Sequence, residues 1–228
     1  MKKIFMGVFF VFGFSVLHAA GPVLELIDIP TAETLERYGY DVGFRGYSGG
    51  GVLTKAQFGV FPRLNVGVGL DVDGFVGSEA LNINKPTINA RFRCFDGRRN
   101  LPALAIGYDG QGLFYDDETD KYREREKGLY AVGSGEILLP GLGLHGGGNI
   151  YDFKDDHVYG FLGLNYVYED LVGVTVEWDN IRVGRDSRLN TGLQWWISPS
   201  FSATVAARDL AGPRRSERIV RLSYSGGF

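Results

Sequence analysis

The sequence predicts an all-β protein, a closed antiparallel up-and-down transmembrane β-barrel of about 12 strands. Two observations lead to this prediction. Apolar and polar residues alternate along about twelve segments of roughly nine to eleven residues, the length that a tilted strand needs to cross a bilayer. The connections between these segments are alternately short and long, as they are in outer-membrane barrels.

The clearest alternation lies in NVGVGLDVDG, residues 65–74. Val66, Val68 and Leu70 fall on one face of a strand, whereas Asn65 and Asp71 fall on the other. A helix with this sequence would have no coherent apolar face. The same pattern predicts strands in residues 38–47, 52–61, 86–94, 103–110, 128–137, 141–151, 157–168, 172–179, 188–197, 201–208 and 219–228.

The connections between these segments differ in length in a regular way. Every second one is tight, and these are FPRL, FDGRRNLP, LPGLG, YEDL and ISPS. The others are polar and mostly longer, and the longest span residues 74–85 and 112–127. We therefore expect short turns at one rim and long loops at the other, with both ends of the barrel at the short-turn, periplasmic rim.

The N-terminal residues 1–20 have the pattern of a secretory signal peptide. Lys2 and Lys3 precede an apolar run and a small-residue stretch that ends at Ala20. The run is too short to cross a membrane comfortably as a helix, so we expect cleavage near Ala20. Residues 21–37 would then form a periplasmic lead-in segment that tucks under or into the barrel, which spans residues 38–228.

The C-terminal strand carries its apolar residues at alternating positions and ends on an aromatic residue. Val220, Leu222, Tyr224 and Phe228 share one parity, and only Gly226 interrupts the set. This arrangement resembles the C-terminal assembly signal of bacterial outer-membrane barrels. It implies the barrel-assembly machinery and outer-membrane lipids as partners, and closure of the sheet leaves no unpaired edge in the hydrocarbon.

Charge and residue usage exclude several classes of function. Removing Lys2 and Lys3 from the 24 basic residues leaves 22 against 27 acidic residues, a charge of about −5 with no concentrated basic patch for nucleic acid. A single cysteine, Cys94, excludes an intrachain disulfide. The acidic stretch DDETDKYREREK lacks the spacing and glycine of an EF-hand loop, so neither a metal nor a cofactor is predicted.

The histidines do not suggest an enzyme. His145 and His157 stand outside any recognisable Ser/His/acid context, and His145 shares the polar face of its strand. We therefore predict that the protein is not an enzyme. A barrel hydrolase assembled from distant residues is the alternative.

The polar face of the strands supplies a candidate lumen constriction formed by Arg91, Arg93, Asp71 and Asp109. These charges admit two interpretations. A buried network of ion pairs would plug or stiffen the barrel, whereas an arginine-lined constriction would select anionic solutes. The expected neighbours of the two arginines are Gly67, Gly69, Ala105 and Gly107.

A second group of charges ends the strands near the long-loop rim. Its mixed signs predict ion pairs between neighbouring strands at the outer mouth. The members of this group are Asp73, Glu177, Asp179, Arg45, Arg188 and Arg208.

Two stretches resemble the YjbH-type outer-membrane barrels, a bacterial family connected with exopolysaccharide production. They are LIDIPTAETLERYGYDVGFRGY and NKPTINARFRCFDGRRNLPALAIGYDGQG. Pro30, Thr31 and Ala32 are similar to the opening motif of that family. The resemblance covers about the first half of the mature chain. The chain holds the strands of one barrel, fewer than the longer members of the family have. The resemblance implies a role in polysaccharide export.

These observations predict a bacterial outer-membrane barrel that acts as a small channel or as an accessory in envelope polysaccharide export. Its expected solute is a polysaccharide or a small anion. The alternative is a non-conducting structural or adhesion barrel that binds partners through its long loops. The competing fold is a soluble lipocalin-like barrel, which would turn the apolar face inward and the charges outward.

Overall fold

The computed structural model describes residues 21–78, 80–98, 101–116, 118–153, 157–182, 187–211 and 216–228. The predicted signal peptide therefore lies outside the described residues. No helix in these ranges is long and apolar enough to cross a membrane. The strands are β1 (Gly39–Gly46), β2 (Val52–Phe61), β3 (Leu64–Asp73), β4 (Asn82–Ile83), β5 (Thr87–Phe95), β6 (Ala103–Asp109), β7 (Leu113–Asp116), β8 (Lys121–Glu124), β9 (Gly128–Glu136), β10 (Leu142–Ile150), β11 (Tyr159–Tyr168), β12 (Val172–Ile181), β13 (Arg188–Ser198), β14 (Phe201–Arg208) and β15 (Glu217–Gly227).

Twelve of the strands in the described part of the chain close into a barrel. Each pairs antiparallel with its neighbours in chain order, and β1 pairs with β15 from Gly39↔Gly227 to Gly46↔Val220. The remaining strands belong to loops: β4 pairs with the end of β3, and β7 pairs with β8 in a separate hairpin. The predicted closed 12-stranded up-and-down barrel is confirmed.

The apolar face of the barrel points outward. Val66, Val68 and Leu70 on β3 are 38%, 53% and 38% exposed, whereas Asn65 and Asp71 on the same strand are fully buried. The prediction that the alternating apolar side chains line the outer wall is confirmed, and the lipocalin-like arrangement is wrong. Many of the charged side chains of the strands, such as Asp71, Arg91 and Glu177, are buried inside the barrel, where that arrangement would have an apolar interior.

The two rims differ as expected. The connections after β2, β5, β9, β11 and β13 are short and define the short-turn rim. The connections after β1, β3, β6, β10, β12 and β14 define the loop rim, which carries β4 and the β7–β8 hairpin. The barrel begins at Gly39 and ends at Gly227, both on the short-turn rim, because the number of strands is even.

The residues before β1 fold into the lumen. Leu26 N donates to Ile29 O at 3.0 Å and Thr31 N donates to Leu24 O at 3.1 Å, which turns residues 24–31 into a hairpin. Because β1 begins at Gly39, the lead-in segment expected at residues 21–37 extends by one residue to 21–38, and we call residues 24–31 the lead-in hairpin. Ile29 is fully buried, and it packs with Leu26, Ala32, Ala103, Ala105, Tyr130, Val132 and Phe161 in a core inside the barrel.

Candidate functional site: the lumen and the segment that fills it

The lead-in segment enters and leaves the lumen at the short-turn rim. At its end, Tyr38 N donates to Gly59 O at 2.8 Å, next to the turn between β2 and β3. At its start, Gly21 lines a cavity together with Pro199 and Ser200 of another short turn. The hairpin tip reaches the side chains of Arg45 and Arg208, which lie at the loop-rim ends of β1 and β14. The segment therefore runs through most of the lumen and back.

The tip of the hairpin is held by the carboxylate of Glu177. The backbone N–H groups of Ile27, Asp28 and Ile29 donate to its two oxygens at 3.0, 2.9 and 3.3 Å. Asn190 Nδ2 donates to Glu177 Oε1 at 2.7 Å from the neighbouring strand β13. A wall side chain thus satisfies three consecutive donors that the tight turn leaves without partners.

The side chain of Asp28 binds two arginines of the wall. Arg45 NH2 lies 2.7 Å from Asp28 Oδ1, and Arg208 Nε lies 2.6 Å from Asp28 Oδ2. Asn190 Nδ2 also donates to Oδ2, at 3.2 Å. Burial alone would raise the pKa of Asp28, but the positive charges of Arg208 and Arg45 outweigh it and hold that pKa well below its usual range.

Glu25 forms a second pair of contacts, nearer to the short-turn rim than those of Asp28. Arg221 NH1 lies 2.9 Å from Glu25 Oε1, and Lys55 Nζ lies 3.3 Å from Glu25 Oε2. Arg221 NH2 also donates to Leu26 O at 2.6 Å. Burial would raise the pKa of Glu25, but the charges of Lys55 and Arg221 lower it to about 2.

Arg91 and Arg93 bind the part of the lead-in segment that follows the hairpin and leads back to the short-turn rim. Arg93 Nε donates to Ala32 O at 2.7 Å, and Arg93 NH2 pairs with Glu33 Oε2 at 2.5 Å. Arg91 NH1 donates to Glu33 O at 2.8 Å, and its Nε donates to Tyr130 OH at 3.0 Å. Both arginines face the lumen as the sequence predicts, and there they contact the lead-in segment.

The two carboxylates that the sequence groups with these arginines have other partners. Asp71 accepts from Tyr47 OH at 2.7 Å and from Asn84 Nδ2 at 3.0 Å. Asp109 pairs with Lys55 Nζ at 2.8 Å. The structure therefore does not bring Asp71 and Asp109 into contact with Arg91 and Arg93.

The expected strand register around Arg91 is wrong by four residues on one side. Arg91 pairs with Gly107 of β6 as expected, but on β3 it pairs with Asn65 and not with Gly69. The reason is that β4 occupies the end of β3, where it pairs with Val72 and Asp73. Strand β5 consequently begins opposite Gly69, which pairs with Thr87.

The loop-rim charges form ion pairs that close over the hairpin tip. Arg208 binds Glu124 Oε2 at 2.6 Å as well as Glu217, and Arg188 NH1 lies 3.0 Å from Glu124 Oε2. Because Glu124 belongs to β8, the β7–β8 hairpin folds inward over the lumen. Asp179 pairs with Lys127, and Asp73 accepts from Tyr47 OH at 2.9 Å.

A chain of hydrogen bonds that the sequence did not suggest supports the segment from β9, β10 and β11. Ala32 N donates to Ser134 Oγ at 2.8 Å, His145 Nδ1 lies 2.8 Å from the same oxygen, and His145 Nε2 lies 2.8 Å from Asn165 Oδ1. All three side chains share the inward parity of their strands, as Lys55 and Arg221 do. The sequence could have indicated from this parity that these side chains face the lumen. It could not have indicated that Ser134, Lys55 and Arg221 bind the lead-in segment.

Little free space remains in the lumen. One cavity of about 50 Å³ lies toward the short-turn rim and a second of about 50 Å³ lies under the loops. Each has room for a few water molecules. Glu25, Arg45, Leu53 and Lys55 line both cavities, so the remaining space follows the wall of β1 and β2 past the Glu25–Lys55 pair.

The C-terminal residues lie on the outer wall. Val220, Leu222 and Tyr224 are about half exposed, and Phe228 is 93% exposed. Phe228 N donates to Tyr38 O at 3.2 Å, and the rings of Phe228 and Tyr40 lie 5.1 Å apart. A Cβ on Gly226 would lie 2.7 Å from Tyr40 OH, so the glycine that interrupts the apolar pattern leaves room for this tyrosine.

Comparisons with known proteins identify the fold. No protein-family model and no curated protein matches the sequence. Among solved structures, the KdgM porin matches with 11% identity and a TM-score of 0.57, over 82% of this chain and 98% of that chain. The KdgM porin in complex with disordered oligogalacturonate matches with 10% identity and a TM-score of 0.56 over the same shares. The outer membrane protein Omp33 of Acinetobacter baumannii matches with 12% identity and a TM-score of 0.45, over 84% and 98%. This chain has the barrel fold of the KdgM porin.

Proposed function

We propose that this protein is an outer-membrane channel for small solutes and that its lead-in segment keeps it closed. The observation that carries the proposal is the lead-in hairpin, which fills a polar lumen and is held there through charged side chains of the wall. A barrel with an apolar outer wall belongs in a lipid bilayer. A polar lumen supplies a path for hydrophilic solutes once the hairpin leaves it.

Two similarities to other proteins support a class of solute. The KdgM porin, whose fold this chain shares, has been solved in complex with oligogalacturonate, an acidic saccharide. The resemblance of the sequence to YjbH-type barrels points to envelope polysaccharide. We therefore propose a role in the passage of saccharides across the outer membrane, with export as the direction.

The alternative is a barrel that never conducts. The same ion pairs support it, since a permanently docked segment would make the lumen a solid core. In this alternative the loop rim binds a partner, and the β7–β8 hairpin is one of the described elements there.

Planar-bilayer conductance separates the two functions. The mature chain, residues 21–228, should show few openings, whereas a variant without residues 22–34 should show sustained ones. A matched control replaces residues 22–34 with a Gly/Ser segment of equal length and should also conduct. If the shortened variant inserts, gives the heat-modifiable gel shift of a folded barrel and remains silent, the non-conducting barrel is the correct function.

We propose no enzymatic activity for the Ser134–His145–Asn165 chain. Ser134 Oγ already accepts the N–H of Ala32, and its side chain is buried under the lead-in segment. A nucleophile needs access to substrate, which this position lacks. Hydrolysis of ester substrates by the shortened variant would contradict this proposal.

A further inference from the structure

We propose that the lead-in segment is an internal ligand, and that three of its four carboxylates occupy subsites where the barrel binds the carboxylates of an acidic saccharide chain. This inference rests on the proposed channel function and names its solute. The saccharide and the hairpin would compete for the same side chains, so that binding of the solute and opening of the lumen are one event.

Each acidic side chain of the segment that the wall binds lies in a subsite of its own. Asp28 binds Arg45 and Arg208, Glu25 binds Arg221 and Lys55, and Glu33 binds Arg93. The subsites follow one another from the loop rim toward the short-turn rim. A linear chain with carboxylates at intervals is the ligand that matches such a series.

Three of these arginines have no ion-pair partner in the described part of the barrel wall. Among the described residues, Arg45, Arg93 and Arg221 form their ion pairs with the lead-in segment and with no acid of the barrel wall. Leaving buried or half-buried guanidinium groups without a counter-charge is costly. If the hairpin leaves the lumen, a ligand that carries negative charge must take its place or water must fill the site.

The contacts of the segment further restrict the ligand to one that both donates and accepts hydrogen bonds. Glu177, Ser134 and Asn65 accept the backbone N–H groups of the segment, while Arg91, Arg93 and Arg221 bind its carbonyl oxygens. Simple dicarboxylates offer acceptors alone. A uronic-acid chain offers carboxylates and hydroxyl donors on every ring, so it reproduces both sets of contacts.

The three subsites differ in access, which gives the exchange a direction. The side chain of Glu33 is 43% exposed, that of Glu25 is 21% exposed and that of Asp28 is 9% exposed. Both ends of the segment lie at the short-turn rim, so the hairpin can withdraw only toward that side. We infer that a saccharide enters from the short-turn rim, displaces Glu33 from Arg93 first and reaches the Asp28 subsite last.

The test is a titration of the folded mature protein, in detergent micelles, with oligogalacturonic acid. Calorimetry measures the binding. The matched probe is the same oligomer with its carboxylates methyl-esterified, which keeps the hydroxyl groups and removes the charge. The Glu25→Gln, Glu33→Gln double variant weakens the internal competitor and should bind the acidic oligomer about tenfold more tightly. The Arg93→Gln, Arg221→Gln double variant should bind it at least about tenfold more weakly.

The opposite signs of these two effects distinguish competition from a purely structural role of the segment. Every variant is first checked for the heat-modifiable gel shift, so that loss of folding is not counted as loss of binding. The inference is overturned if the ester binds as well as the acid, or if the Glu25→Gln, Glu33→Gln variant does not gain affinity.

The result of the binding experiment can be distinguished from the result of the conductance experiment. A variant without residues 22–34 that conducts but does not bind the acidic oligomer would uphold the channel and overturn this inference. A variant that binds the oligomer but does not conduct would uphold the inference about the site and overturn the channel.

Discussion

The carboxylate of Glu177 accepts the backbone N–H of Ile27 at 3.0 Å across a sequence separation of 150 residues. Glu177 lies on β12 in the barrel wall, and Ile27 lies at the tip of the lead-in hairpin. This hydrogen bond, with its neighbours from Asp28 and Ile29, fixes the depth to which the hairpin enters the lumen.

Replacing Glu177 with leucine should release the hairpin tip. Three backbone donors would lose their acceptor, and a buried donor left without a partner costs about 1–3 kcal/mol. We expect the free energy of local opening at residues 26–29 to fall by at least about 2 kcal/mol. Hydrogen exchange measured by mass spectrometry reports this value, with Glu169→Leu in an exposed turn as the control. Equal protection in both variants would show that Glu177 does not hold the tip.

Replacing Arg208 with methionine should destabilise the whole barrel. The Arg208 side chain is 3% exposed and binds Asp28, Glu124 and Glu217, so its loss leaves three carboxylates without their shared cation. Removing one partner of a buried ion pair costs about 3–5 kcal/mol. Urea unfolding in lipid vesicles measures the change. Arg218→Met, on the exposed face of β15, should have little effect, and a similar loss in both would refute the prediction.

Acid should loosen the lead-in segment before it unfolds the barrel. The folded-state pKa of Glu25 is about 2, below its ordinary value of 4.5, so its contribution is complete above pH 4.5 and is lost as the pH falls toward 2. The pKa of Asp28 is lowered for the same reason, which places its loss on the acid side as well.

Trp196 can report this acid transition because it is buried and lines the short-turn cavity together with Val23 and Leu24. In a variant whose other tryptophans are phenylalanine, its emission should shift as the pH falls from 4.5 toward 2, the range in which Glu25 takes up a proton. Glu25→Gln should reduce the amplitude. An amplitude that is unchanged in Glu25→Gln, or a shift that coincides with loss of the circular-dichroism signal of the barrel, would contradict the assignment.

Filling the space at Gly163 should displace the hairpin without changing any charge. A Cβ at this position on β11 would lie 2.5 Å from Ile29 Cδ1 and 2.6 Å from Leu26 Cδ1. Gly163→Val should therefore expose the segment and increase the rate at which a glutamate-specific protease cleaves after Glu25 and Glu33, by about tenfold or more.

The control for this substitution is Gly160→Val on the same strand. The atoms nearest to a Cβ there would be Ile181 Cβ, Ile181 O and Gly147 O, at 3.6 Å or more, and the position faces outward. We expect its cleavage rate to equal that of the unchanged protein. Equal rates in the two variants would mean that the hairpin does not pack against Gly163.

Replacing Phe228 with serine should slow assembly of the barrel. Phe228 is 93% exposed on the outer wall, so its loss removes little packing from the folded state, and an effect on assembly must come from recognition or insertion. The measurement is the fraction of heat-modifiable barrel formed over time in vesicles that contain the assembly machinery. Phe75→Ser, an exposed aromatic at the loop rim, is the control, and equal rates would remove the role assigned to the C-terminal residue.

The candidate site was only half predictable from the sequence. The inward direction of Arg91, Arg93 and Arg208 follows from strand parity, and the structure places all three inside. Their partners do not follow from it, because Glu33 and Asp28 lie in a segment with no alternation that could have indicated a position. The register between β3 and β5 was also missed, since it depends on β4, a two-residue strand within a loop.

The sequence by itself determined the twelve strands of the barrel, their inward and outward faces and the closure of the barrel. These properties follow from a period of two that is read locally, and each strand needs only its neighbours to satisfy its backbone. The tertiary structure alone decided what fills the lumen. The lead-in hairpin is positioned by Glu177, Arg208 and Arg221, which lie about 150 to 195 residues away in the chain, and contacts of such separation leave no local pattern in the sequence.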